Sequence, residues 1–139
     1  MTNQFIWLLG GGSMSIPMAQ EIKRRGYSLL LTDADPACPC RPLADRFAPV
    51  SVYGDLANLN FARYGIHVRP VAVLTAGTDA GVEVAAIAEY FGLPLRPGSG
   101  QAGVGVDVAR RVHSKTAMRQ ALDAPHPRYA VGTVGNFTD

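Results

Sequence analysis

Gly10-Gly11-Gly12-Ser13-Met14-Ser15 places three glycines between an apolar run and a helix-forming stretch. Such a turn lets a phosphate approach backbone N–H groups at a helix start. Position six of the dinucleotide fingerprint is Ser15, where a glycine normally permits close helix–strand packing. Asp33, at the end of the next apolar run, stands where an acid would hold a ribose. Two readings stay open for this loop: a nucleotide site built around Gly11, Gly12, Ser13 and Met14, or a structural turn facing another ligand or domain. A second loop, Ala76-Gly77-Thr78-Asp79-Ala80-Gly81, has glycines for a tight backbone turn and two polar groups, Thr78 and Asp79. These either line a crevice or cap the helix that follows. Lys115 follows a capping residue, Ser114, near a helix N-terminus. A lysine gains nothing there from the helix dipole, so it is either a surface residue or a group for a phosphate that shares the helix end.

Alternating strands and helices would position these loops. Phe5 to Leu9 reads as a central strand covered on both faces, and a helix with Ile16, Ala19 and Ile22 on one face runs to about Arg25. Tyr27–Thr32 and Phe47–Tyr53 read as the second and third strands, with a proline-rich loop from Ala37 to Ala48. Asp55 is expected to cap a helix to about Tyr64, and Val71–Thr75 to form the fourth strand. A helix through Val84, Ile87, Ala88 and Phe91 follows, and Gly92-Leu93-Pro94 offers a short fifth strand. Glu83 and Glu89 read as solvated, and Asp107 and Ser114 as caps of two further helices. The fold class expected is α/β: a Rossmann-like, doubly wound parallel sheet in the order 3-2-1-4-5. Its ligand crevice lies at the carboxyl ends of the strands where the order reverses, which puts both glycine loops at its edge.

Composition narrows the classes. Hydrophobic content of 47%, charged content of 17% and a net charge of +2 suit an ordinary globule rather than a nucleic-acid binder. Lys23-Arg24-Arg25 and Arg110-Arg111 fall at helix ends, where cations complement exposed carbonyls. Cys38-Pro39-Cys40 and three scattered histidines do not make a metal site, and no membrane span or signal peptide is read. The compartment expected is cytoplasmic.

In order along the chain, FIWLLGGGSMSIPMAQEIKRRGY, LLLTDADPACPCRPLAD, VAVLTAGTDAGVEVAAIAEYFGLP and VHSKTAMRQAL with PHPRYAV resemble the N-terminal domain of ATP-grasp enzymes. The likeness is to the carbamoyl-phosphate synthase large-subunit-like and carboxylate–amine ligase group. The resemblance implies a pre-ATP-grasp domain over residues 1–113. Residues 114–139 would then be a hinge helix and first strand leading into an ATP-grasp lobe absent from this sequence. It also implies a reaction in which ATP and magnesium convert a carboxylate to an acyl phosphate for attack by an amine. Lys115 would reach the ATP phosphates, and the two glycine loops would face the acceptor. The segment from Arg96 to Gly105 is longer and richer in glycine than the family's link. The magnesium-binding acids and phosphate-covering loop have no counterpart in this sequence, so no catalytic residue is assigned and neither ATP nor magnesium is expected to bind this chain tightly by itself. The partner implied is the catalytic lobe, in cis or as a split subunit, and a homo-oligomer is compatible with the surface left for it. The rival is a stand-alone Rossmann-type nucleotide-binding regulatory or docking domain.

Overall fold

A computed structural model describes residues 4–93 and 105–122. Strands β1 (Phe5–Leu9), β2 (Ser28–Thr32), β3 (Arg46–Ala48) and β4 (Ala72–Thr75) form one parallel sheet in the order β3-β2-β1-β4. Trp7 pairs with Leu30 on one side and with Val73 on the other. The helices are α1 (Ile16–Arg24), α2 (Asp55–Gly65), α3 (Gly81–Tyr90), α4 (Val106–His113) and α5 (Lys115–Ala121). The reversal between β1 and β4 stands as expected. The expected fifth strand runs into residues 94–104, outside the described residues.

Alternation along β1 sends its side chains to two separate cores. Trp7 and Leu9 join Leu30 and Val73 beneath α2 and α3, where Ala62, Val84, Ile87 and Ala88 meet them. Ile6 and Leu8 join Leu29 and Leu31 beneath α1, against Ala19 and Ile22. A strand buried on both faces must be apolar throughout, which is why Phe5–Leu9 shows no polar alternation. Trp7 is fully buried, so its indole N–H needs a partner; it donates to the Thr32 hydroxyl at 2.9 Å. Phe61 of α2 meets the indole edge-on, with ring centroids 5.4 Å apart.

Helix α1 ends as its sequence suggests. Gly26 adopts φ +81° and its N–H donates to the Lys23 carbonyl. The basic run at this end is paired: Arg24 and Arg25 converge on Glu21, and Lys23 holds Asp45. Arg24, then Arg25, hold the Glu21 carboxyl down at about 2. Burial pushes the Asp45 carboxyl up, but Lys23 and the Leu29 N–H outweigh it and leave the group below its ordinary value.

Four expectations are corrected. The third strand is Arg46–Ala48 rather than Phe47–Tyr53, because the chain leaves the sheet and returns Val52 to the core under α2. Asp55 is the first residue of α2, with Gly54 in the cap position at φ +103°. Asp107 lies inside the first turn of α4, and Gly105 precedes that helix. Glu83 is buried rather than solvated, because its carboxylate accepts the Gly54 N–H at 3.1 Å and ties α3 to the approach to α2. Ser114 does cap α5, accepting the Ala117 N–H at 3.2 Å. Among the described residues no helix is long and apolar enough to cross a membrane.

Candidate functional site

The turn after β1 is clasped from several sides. Gly10 turns at φ +86°, and its N–H donates to the Thr32 carbonyl at 2.9 Å. A Cβ on Gly10 would come within 2.6 Å of the Thr78 methyl group. A Cβ on Gly11 would sit 2.5 Å from the Cys38 sulfur. Glycine is required at Gly10 by conformation and close approach together, and at Gly11 by close approach.

The Gly11 N–H donates to Asp33 Oδ2 at 2.7 Å, while Asp33 Oδ1 accepts the Asp35 N–H at 2.9 Å. Both carboxylate oxygens are therefore engaged by the protein's own backbone. The Gly11 carbonyl accepts the Cys40 N–H at 2.9 Å, and the Gly12 carbonyl takes the Cys40 thiol at 3.5 Å. Gly12, Ser13 and Met14 face solvent and lead through a short 3₁₀ turn into α1.

The loop after β4 locks onto this turn. Ser15 is buried, and its hydroxyl donates to the Ala76 carbonyl at 2.7 Å. The residue that breaks the dinucleotide fingerprint is thus a tether between the loops. Gly77 turns at φ +71°, and a Cβ there would lie 2.5 Å from Met14 Cβ. Below it the hydrogen bonds run one way. The Ala80 N–H donates to Thr78 Oγ1 at 3.3 Å, Thr78 Oγ1 lies 2.6 Å from Thr75 Oγ1, and Thr75 Oγ1 donates to the Leu9 carbonyl at 3.0 Å. Because Thr75 gives its proton to Leu9, the Thr78 hydroxyl must be the donor in the 2.6 Å contact between the two threonines. Thr78 supports the start of α3 through this chain without being its cap, a position taken by Ala80. Asp79 is exposed at the loop tip.

Gly11, Gly12, Ser13, Met14, Asp33, Gly77, Thr78 and Asp79 are therefore gathered at the carboxyl ends of β1, β2 and β4. Lys115 is placed differently: it is exposed at the first position of α5, which packs on α4. α4 rests on α3 through Val106 and Ala109 against Val82 and Ala85, and its Val106 N–H donates to Glu89 at 2.7 Å.

Reading by residue type named Cys38 and Cys40 only to set aside a metal site and did not place them at the glycine turn. They belong to the core beneath α1, both as free thiols, and they form the floor of the glycine turn. Burial pushes both thiols up, with the Asp33 charge adding to the effect at each. The available signal was the Asp33-Ala34-Asp35-Pro36 turn, whose carboxylates fold the chain back: Asp35 accepts the Ala37 N–H at 2.8 Å. At the amino ends of the strands a separate concavity of about 240 Å³ is lined by Phe5, Ser28, Leu30 and Arg46, away from both glycine loops.

No family model matches the chain. An N5-carboxyaminoimidazole ribonucleotide synthase from Staphylococcus epidermidis is 36% identical over 55 residues, covering 40% of this chain and 14% of that protein. Among solved structures, phosphoribosylglycinamide synthetase from Anaerococcus prevotii superposes with a TM-score of 0.70 at 20% identity, covering 86% of this chain and 28% of the other. N5-carboxyaminoimidazole synthetase from Staphylococcus aureus, complexed with ADP, gives a TM-score of 0.58 at 17% identity, covering 84% and 29%. These neighbours are ATP-grasp enzymes, and the chain matches their N-terminal region. At such identities the shared property is the fold, and this chain spans less than a third of each neighbour's length.

Proposed function

We propose that this chain forms the acceptor-substrate side of an ATP-dependent carboxylate–amine ligase and does not catalyse ligation by itself. The observation that carries this reading is the clasp between the two glycine loops at the point where strand order reverses. Ser15 holds Ala76, and Met14 closes over Gly77. That crevice occurs in a fold shared with the N-terminal region of ATP-grasp enzymes.

Among the described residues no group of three or more His, Cys, Asp or Glu is placed to hold a metal ion. We assign magnesium and the ATP phosphates to another lobe, in the same polypeptide or in a partner subunit, as the resemblance to ATP-grasp enzymes implies. On this reading residues 1–113 form the acceptor domain, and Lys115, on the helix that leads out of it, reaches toward the phosphates. The exposed Val108 and Val112, one turn apart on α4, supply the surface on which the lobe rests.

The test joins the chain to the ATP-binding lobes of the S. epidermidis synthase and follows ADP release with candidate carboxylates and amines. Acceptor-dependent turnover in the joined protein, with none from the chain alone, is expected. Calorimetric titration of the isolated chain with NAD, NADH and ATP provides the opposing result. Micromolar affinity for a dinucleotide would overturn the proposal in favour of a stand-alone nucleotide-binding regulatory domain.

A further inference from the structure

Glycine turns that open a helix receive phosphate because their backbone N–H groups point outward and lack a partner. Here the first such donor is taken. Asp33 Oδ2 lies 2.7 Å from the Gly11 nitrogen, and the same carboxylate is fixed from its other side by the Asp35 N–H. The turn cannot slide away from Asp33. Gly11 is wedged over the Cys38 sulfur, and its carbonyl is held by the Cys40 N–H. Gly10 is pinned between the Thr32 carbonyl and the Thr78 methyl. A phosphate aimed at this turn would find the Gly11 donor occupied and a like charge within contact distance, an arrangement disfavoured before any contact is gained.

We infer that Asp33 is the specificity-determining residue of the crevice: it excludes phosphate groups from the glycine turn, so the group admitted there is uncharged or cationic. Calling that group part of the acceptor rests on the ligase reading; the exclusion of phosphate does not. One of the solved neighbours is named as a phosphoribosylglycinamide synthetase. If this chain takes an acceptor of that kind, its phosphate is held away from the turn, by residues outside this crevice.

The experiment titrates the full ¹⁵N-labelled chain with inorganic phosphate and, separately, with ribose 5-phosphate, reading the amide resonances of Gly10 to Ser15. In the wild-type chain these are expected to stay in place through millimolar phosphate. Asp33→Asn removes the charge while keeping an oxygen for the Gly11 N–H, and is expected to tighten phosphate binding at the turn at least about tenfold. Asp33→Ala frees the N–H as well and should tighten it further; if that variant loses its dispersed spectrum, Asp33→Asn carries the result. Wild-type shifts centred on Gly11, or an Asp33→Asn chain that binds no better than wild type, would overturn the inference. Shifts confined to the basic end of α1, at Lys23 to Arg25, leave it standing. Phosphate exclusion with no ATP turnover in the joined protein would remove the ligase reading and keep the role of Asp33; turnover with phosphate bound at Gly11 would do the reverse.

Discussion

The turn before α1 and the start of α4 both rely on a carboxylate borrowed from another element. Asp33 holds the Gly11 N–H across 22 residues, and Glu89 holds the Val106 N–H across 17. Behind the first contact lie a buried serine, two buried cysteines and a second glycine loop. Behind the second lies little more than Ala109, the one buried residue of α4, while Val108 and Val112 on the same helix face outward. The same device therefore does two jobs. At α1 it adds a polar lock to a region already committed to the core, and that region should open only when the whole domain does. At α4 it is one of few restraints, and the helix should open locally, well below the global stability.

Several substitutions would break or sharpen that contrast. Gly77→Ala should have the largest effect. It puts a Cβ in left-handed backbone and against Met14, and should remove about 2–4 kcal/mol of global stability in urea unfolding. Ser15→Ala leaves the Ala76 carbonyl without its hydroxyl partner and should cost about 1–3 kcal/mol, again in the global transition. If either variant lowers amide protection only in its own loop, the two loops are not part of the cooperative core and the contrast fails. Glu89→Ala should cost about 0.5–1.5 kcal/mol, and hydrogen exchange should show faster amides in α4 and α5 with the sheet unchanged. The smallest expected effect is at the basic end of α1. The Glu21 pKa is depressed to about 2 from an ordinary 4.5, so its pairing with Arg24 and Arg25 contributes above the ordinary value and is lost as pH falls towards the depressed one. In an acid titration Glu21→Gln should flatten the stability profile slightly between those two values, less so at high salt.

The parts of this structure that sequence exposes are those governed by local pattern. The unbroken apolar run Phe5–Leu9, five residues closed by glycine, reads as a central strand, and the position of Gly26 marks the end of α1 without reference to anything distant. Ser114, three residues before the N–H it accepts, is equally readable. Roles fixed by partners far along the chain were not. Ser15 breaks a fingerprint in one dimension and closes a clasp to a carbonyl 61 residues away in three. Glu83 looks like an ordinary solvated acid on a helix until the fold brings the Gly54 N–H to it. The three-residue β3 is too short to show any alternation, so its position depended on the sheet edge it joins. Cys38 and Cys40 carried no recognisable ligand spacing because Cys38 contributes volume beneath Gly11 and Cys40 hydrogen bonds to the turn, and neither leaves a motif.

Those two thiols also make the glycine turn its own clock. Both are reduced, buried and pushed above the ordinary thiol pKa, so an alkylating reagent reaches them only during excursions that lift the turn from the sheet. When the reagent outpaces reclosing, the rate of their labelling follows how often the crevice comes apart, measurable by mass alone, and a ligand that seats against Gly11 would announce itself by slowing it.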